Sequence, residues 1–551
     1  MNNKMLQTMR TINQNPPREH VVMLAGGLNL SSATQQIPDG ECLQLDNYEI
    51  NVQGNYQSLS GFERYDGRLS PSKAIAPHGP YPDDESELQD LLDARENLRE
   101  QIQPVPGAGP IRGVFYLFNR CFAFRDSEDG EQLNLYGDSP VGWQLVQTPT
   151  LRPGGYLRWR FLNFPDRASK EVIGVDGVNH GFIFDGQTFT QIINEGMEED
   201  DSPIAVEVLT SDIVVFGYRR GSIQFSGMGD PFQWDVGDGA GEIRVVDEIQ
   251  EIALQANDTC AVFCHNRTYV LYGRTPPEFR MTNLNTNTGA TAGTVQTIGD
   301  SVFVDDRGMT RLSRVKAFGN FAMVNMSAKV DPVLNTYRNR IKCSTVIREK
   351  NQYRLFFDDG RGLICTFAGE EPLGFSNFSL GEGRVAACSS SAETSEGKEV
   401  VFIGAENGFV YQLERGTSLD GLPIDTTIRT AFSFFGPQLY GLRKRLTRFT
   451  LEIKAVEQFG MWVQPDFDYS SPFAPSNPLV QQVVIGGTGG YWDEAIYDQS
   501  YWSSAVVQRA SFYANGVGEN VSIFCRTESS HASPHSITSI VHRFIPLALR
   551  R

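Results

Sequence analysis

The sequence predicts an all-β fold: a β-propeller of about seven blades, with counts of six or eight also fitting, beside a β-sandwich-like platform domain and one inserted helix near 83–103. Three observations predict it. Short runs rich in Val, Ile, Phe, Tyr and Thr alternate with Gly, Asp and Asn clusters, the pattern of strands and tight turns. A weak internal repeat of roughly 35–50 residues runs through the middle of the chain, as stacked four-stranded units require. The 551 residues also exceed what one ordinary core holds, about 250–300 residues.

The elements follow in order. Residues 1–66 read as short strands too few for a core of their own, so they should pack on the platform domain. Residues 67–109 read as a linker with the helix. Asp83, Asp84, Glu85 and Glu87 load its start with negative charge, which favours the positive end of the helix dipole. Leu88, Leu91, Leu92, Leu98 and Ile102, with the stem of Arg95, fall at helical spacing on one side. Pro104 and Pro106 stop it. That apolar side must lie on something, either the strands beside it or a neighbouring subunit, for which Leu88, Leu91 and Leu92 are the candidate contacts.

The propeller is placed at 110–420. Its repeats read as Pro110–Leu151, Gly155–Ile193, Asp212–Trp234, Ile249–Phe279, Thr294–Arg314, Cys343–Phe378 and Arg384–Leu413. Asp185-Gly186, Asp306-Arg307-Gly308 and Asn407-Gly408 supply turn signals suited to hairpins. From 421 to 551 the strands lengthen and aromatics cluster: Trp462, Phe467, Tyr469, Trp492, Tyr497, Tyr501, Trp502, Phe512 and Tyr513. Alternating runs such as 448–455 give this part its sandwich-like reading.

Charge and chemistry narrow the function. The formal net charge of -18 disfavours nonspecific binding to DNA or anionic lipid, since phosphate contact needs clustered cations. No run approaches the 18 or so apolar residues of a membrane-spanning helix, and Met1–Arg18 lacks the apolar stretch of a secretory signal. The eight Cys are too sparse for a disulfide scaffold and should stay reduced. Cys260 and Cys264 alternate on one strand face about 13 Å apart by strand rise, too far to share a zinc ion. His531 and His535 read as a solvated polar loop. Asp305-Asp306, Asp358-Asp359 and Asp466-Phe467-Asp468 are carboxylate pairs, read first as hairpin-turn chemistry. No nucleophile elbow, phosphate loop or zinc-protease motif occurs.

Two charged runs stand out. Glu195, Glu198, Glu199, Asp200 and Asp201 form an acidic loop, either solvated or the wall of a channel facing a polyanion. Arg443, Lys444 and Arg445 lead into a long strand, either blunting a sheet edge or docking on an acidic face of a neighbouring subunit.

Several segments together resemble a known family. They are Gly26-Gly27-Leu28-Asn29, Ile37-Pro38-Asp39-Gly40-Glu41-Cys42, Leu45-Asp46-Asn47-Tyr48 and Ser60-Gly61-Phe62-Glu63. Further on come Pro104–Val114 after the charged helix, Gly217–Ser226, and Gly229-Asp230-Pro231-Phe232-Gln233-Trp234. Trp492-Asp493, Tyr497-Asp498 and Tyr501-Trp502-Ser503 close the series. In this order they resemble the tail nozzle, or tail hub, protein of short-tailed bacteriophages, over most of the chain from about residue 24 to 545. The resemblance implies a structural virion protein of the tail, made in the host cytoplasm, usually six copies in a ring around the DNA exit channel. It implies contact with the adaptor or portal side above and with tail fibres at the side. It brings no catalytic residue, metal or cofactor, and no membrane insertion. Acidic walls would let DNA slide past without adhering.

The competing reading is an enzyme or binder of surface polysaccharide. A propeller glycosidase would bring two or three carboxylates together at the propeller centre, with Arg nearby. A sugar-binding lectin would leave aromatic platforms exposed.

Overall fold

In the computed structural model the described residues are 16–74, 85–167, 169–193, 202–255, 258–285, 287–318, 325–455, 459–470, 481–485, 507–527 and 534–547. The chain divides into two units. One holds Ser60–Pro372 and Ser379–Gly421; the other holds the N-terminal part to Leu59, Leu373–Phe378 and Leu422–Arg551.

The first unit is a seven-bladed β-propeller. Each blade is built on antiparallel strands that follow chain order outward, save for the outermost strand of blade 7. Blade 1 runs from Ala108–Leu117 to Gln144–Val146, blade 2 from Arg158–Leu162 to Phe189–Gln191. Blade 3 runs from Ala205–Val208 to Gly241–Arg244, blade 4 from Ile249–Leu254 to Arg280–Asn285. Blade 5 has three strands, Gln296–Ile298, Asp300–Asp305 and Gly308–Arg311, and the chain then turns into the helix Leu312–Phe318. Blade 6 is built on Ile341–Ile347, Gln352–Phe357 and Arg361–Ala368. Blade 7 is built on Ala386–Glu393, Glu399–Ala405 and Val410–Leu413.

Apolar side chains weld neighbouring blades. Phe115, Phe122 and Phe124 pack with Val172, Phe182 and Phe184 between blades 1 and 2. Ile173 and Ile183 meet Val214, Phe216 and Trp234 between blades 2 and 3. Ile223 packs with Val262 and Leu271, and Phe263 with Phe303, on the next two seams. Hydrogen bonds from Tyr353 Oη to the Thr294 carbonyl (2.6 Å) and from Ser389 Oγ to the Ser344 carbonyl (2.7 Å) link blades 5 to 6 and 6 to 7. Val400, Phe402 and Val410 then pack on Val114 and Tyr116, so blade 7 returns to blade 1.

The N-terminal region is split between the units, where the sequence reading places all of 1–66 on the platform. The strand Phe62–Tyr65 is instead the outermost strand of blade 7, paired antiparallel with Val410–Leu413. Local alternation cannot reveal a partner so distant in the chain. Gly374–Phe378, read as the last strand of a blade, lies in the strand Glu371–Ser379, which follows Arg361–Ala368 in the sheet order, and Asn377 pairs parallel with Asp46 on its other side.

The helix spans Glu85–Gln101. Its inward face is more charged than its leucines suggest. Leu88, Leu91, Leu92 and Leu98 are half-buried, whereas Arg95, Arg99 and Ile102 are buried. Its C-terminal end is tied within the propeller unit by Arg68 Nη1 to the Gln101 carbonyl (2.8 Å).

The second unit is sandwich-like, with two sheets. One carries Lys444–Ala455 between Val507–Gly518 and His535–Pro546, with Arg18–Met23 and Tyr56–Ser58 on the far side of the last. The other orders Cys42–Asp46, Thr426–Thr430, Val521–Thr527, Phe459–Phe467 and Gln481–Ile485. Phe449, Leu451, Ile453, Met461, Val463 and Ile523 are fully buried between the strands. Gly27 is required where it stands: its φ is +68°, and a Cβ there would lie 2.4 Å from the Phe375 carbonyl oxygen.

Candidate functional site

The first strands of all seven blades line the propeller axis and leave a cavity of about 610 Å³ there. Its chemistry begins with the alternation of the strand Arg158–Leu162. Arg158 and Arg160 are two residues apart, so both side chains fall on one face. Each finds a carboxylate on another blade. Arg158 Nε donates to Glu251 Oε2 at 3.0 Å, and Arg160 Nε to Glu207 Oε2 at 3.0 Å. Glu207 Oε2 also accepts from the backbone N–H of Leu254 at 3.1 Å, so one carboxylate holds blades 2, 3 and 4 together. Arg160 Nη2 lies 3.8 Å from Glu251 Oε1, an oxygen that makes no hydrogen bond among the described residues. Burial works against the charge on Arg160, but Glu207 and Glu251 outweigh it and raise its pKa.

The carboxylates are nearly closed off, with side chains 5% (Glu251) and 8% (Glu207) exposed, while the arginines keep 29% (Arg158) and 33% (Arg160) open. At the end of the cavity where the inner strands finish stand Lys170, Arg348 and Glu393. The Lys170 ammonium sits 3.5 Å from the centre of the Phe161 ring. Arg348 lies 3.9 Å from Glu393 and 3.5 Å from Glu399. A bank of hydroxyls and amides completes the wall: Ser344, Ser389, Ser390, Ser391, Thr297 and Gln296. Four cations, Arg158, Arg160, Lys170 and Arg348, are balanced by four carboxylates, Glu207, Glu251 and Glu393 in the wall and Glu399, which pairs with Arg348.

The site was barely visible in sequence. Its charges sit singly in apolar strands of different blades, and only the Arg-Trp-Arg alternation of 158–160 hints at two charges on one inner face.

The residues singled out from sequence fare differently. Glu195, Glu198, Glu199, Asp200 and Asp201 lie outside the described residues, as do Trp492, Tyr497, Tyr501 and Trp502. Leu88, Leu91 and Leu92 are half-buried within the propeller unit. Arg443 and Arg445 are exposed, but Lys444 is buried and cannot serve a subunit contact. Its Nζ donates to the Glu519 carbonyl at 2.6 Å with the Phe434 and Phe435 rings 5.9 and 5.8 Å away. Burial pushes its pKa down to about 8, against the pull of Glu519 and Asp468. Nor does this run blunt an edge: Lys444–Ala455 has a strand on either side.

Among the histidines, His535 is not in a solvated loop. It is 2% exposed, bonded to Tyr48 Oη at 2.8 Å and stacked on Phe459. Cys260 and Cys264 are buried strand thiols whose pKa values rise through burial. Two of the Asp pairs, 305–306 and 358–359, sit at turns, whereas Asp466 is a fully buried residue of the strand Phe459–Phe467 that accepts from Gln464 Nε2 at 2.8 Å. Asp305 accepts from the N–H groups of Arg307 and Gly308, and burial lifts its pKa to about 6. Asp358 and Asp359 lie 2.7 and 3.7 Å from Arg340. None of these three lines the axial cavity.

No protein-family model and no curated protein matches this sequence. Among solved structures, a chain of the mitotic checkpoint complex is similar at 11% identity and a TM-score of 0.38, over 57% of this chain and 93% of that one. The Neurospora crassa Pan2 WD40 domain is similar at 10% identity and a TM-score of 0.35, over 55% and 88%. Both superpositions are loose; the strand pairing around the axis is what establishes the propeller here. No helix among the described residues is long and apolar enough to cross a membrane.

Proposed function

We propose that the chain is a structural protein of a short-tailed phage tail, a nozzle or hub whose copies, six in the simplest reading, form a ring that conducts DNA. In this reading it meets the adaptor or portal side above and tail fibres at the side. The ordered series of segments from Gly26-Gly27 to the Tyr501-Trp502 region carries the reading. The combination of a propeller and a sandwich-like unit in one chain supports it. A ring needs head-to-tail interfaces that close by rotation, and exposed Arg443 and Arg445 are available to one.

The propeller's own axis is not the conduit. Its cavity has the size of a small-molecule pocket and is crossed by ion pairs from Arg158 and Arg160. DNA would pass between copies, and the acidic lining belongs to that lumen. The test is to label intact particles with an antibody raised against this chain. Gold at the tail tip supports the reading; particles without the chain overturn it.

A second reading has one observation in its favour, the meeting of Glu207 and Glu251 with two arginines at the axis. A glycosidase needs one carboxyl free to act as acid or nucleophile. Here Glu207 is bound to Arg160 and Glu251 to Arg158, so structural bracing accounts for both. Turnover of a host polysaccharide by purified protein would reverse that order.

A further inference from the structure

We propose, resting on the ring reading, that neighbouring copies meet through an arginine-bearing sheet face of the sandwich-like unit on one copy and the acidic outer face of the helix Glu85–Gln101 on the next.

Four neighbouring strands build the first face: Arg18–Met23, His535–Pro546, Lys444–Ala455 and Val507–Gly518. Alternation buries Phe449, Leu451, Phe512, Ile540 and Phe544 and leaves the other set outside. Register puts Arg448 directly opposite Arg543 on one side and Tyr513 on the other. Tyr513 is 78% exposed, and Val21 and Met23 are more than half exposed. Arg445, Arg448 and Arg543 make no ion pair among the described residues, whereas Arg509 is held by Glu452 at 2.9 Å. Like charges directly opposite on adjacent strands repel, so this row gains from an anionic partner.

The helix carries the complement. Arg95 and Arg99 are buried, and the exposed charged residues are Glu87, Asp90, Asp93, Glu96 and Glu100, all acidic. Asp90, Asp93, Glu96 and Glu100 follow one another at three- and four-residue steps, where like charges weaken a helix unless a cation covers them. Asp90, Asp93 and Glu100 make no ion pair among the described residues. The row Arg543, Arg448 and Tyr513 crosses three strands, about 10 Å, the width of a helix. The two faces are different patches in different units, so their pairing is head-to-tail, as a closed ring requires.

Sedimentation of the nuclease-treated full chain tests this contact. The wild type should assemble, and less so in about 0.5 M salt, which screens exposed charges. Arg448→Glu with Arg543→Glu should weaken assembly about tenfold or more while keeping the folded circular dichroism spectrum, and Asp90→Lys with Asp93→Lys should do the same. An equimolar mixture of the two variants should assemble again, because each then offers the other a matched face. Three results overturn the proposal: a wild type that stays monomeric, assembly that survives either reversal, or a mixture that fails to assemble. Assembly that survives reversal leaves the tail reading standing, since labelling of particles decides that separately. Oligonucleotide binding lost in Arg448→Glu with Arg543→Glu, with assembly unchanged, would assign the arginines to nucleic acid instead.

Discussion

Arg64 grips Asp420 through two parallel hydrogen bonds, Nε to Oδ1 at 3.1 Å and Nη2 to Oδ2 at 2.8 Å. The bond joins the strand that closes blade 7 to a residue 356 positions later. Arg99 of the helix lies 3.6 Å from the same carboxylate, and Arg384 lies 3.4 Å from it. Asp420 has no exposed side-chain surface, so three guanidinium groups share one buried charge, with Arg99 also paired to Glu96. Removing one partner of a buried pair costs about 3–5 kcal/mol, because the remaining charges stay buried and unpaired. Asp420→Ala should lose stability in that range by urea unfolding. Glu371→Ala, which breaks the pair with Arg314 on a carboxylate side chain 70% exposed, should lose less than about 1 kcal/mol.

The closing strand should also be held by packing. Phe62 is 2% exposed, and its ring meets that of Tyr411 edge-on at 5.3 Å. Phe62→Ala should cost about 3–5 kcal/mol. Limited proteolysis should then cut near Arg64 and Tyr65 well before it cuts elsewhere in the propeller. Wild-type cleavage kinetics in the variant would show that the strand contributes little to closure.

Acid should weaken the sandwich-like unit through His542. Burial, reinforced by His20 and opposed by Asp39, pushes its pKa down to about 3 from 6.5. Between those values the unfolded chain binds a proton that the folded chain refuses, so stability falls as pH drops from 6.5 toward 3. The ring stands edge-on to Phe435 at 5.3 Å, and its Nδ1 has no hydrogen-bond partner among the described residues. His542→Phe should therefore flatten the loss of the urea midpoint between pH 7 and pH 4. His20 and Asp39 still face the position, and Asp39, with its lowered pKa, keeps a smaller acid loss of its own.

Lys444 works in the other direction of the pH scale. Its folded pKa of about 8 lies below the ordinary 10.5, so the unfolded state binds more protons between those values. Stability should rise as pH increases from 8 to 10.5, when the buried amine no longer carries a charge. Lys444→Met should raise the melting temperature at pH 7 and remove most of that rise. A melting temperature lowered by several degrees would show that the bond to the Glu519 carbonyl outweighs the buried charge.

The blades were legible because each buries its own alternating strands. Val214–Gly217 and Cys260–Cys264 are fully buried runs bounded by turn residues, and period and turns repeat around the ring. What joins distant parts was not legible. Phe62–Tyr65 reads like any short strand, and nothing local names Val410–Leu413 as its partner. Arg99 reads as one side of an ordinary charged helix until Asp420 is brought beside it. Lys444 reads as a surface charge because its neighbours Arg443 and Arg445 are exposed; alternation on a central strand turns it inward. The axial charges have the same origin, since seven strands far apart in sequence supply one wall.

Electron microscopy of the purified full chain, alone and mixed with the rest of the tail, tests the central claim most directly. The account predicts closed rings, sixfold in the simplest case, that enter the tail with an open passage between copies. A chain that stays monomeric at high concentration and never joins a tail would contradict it.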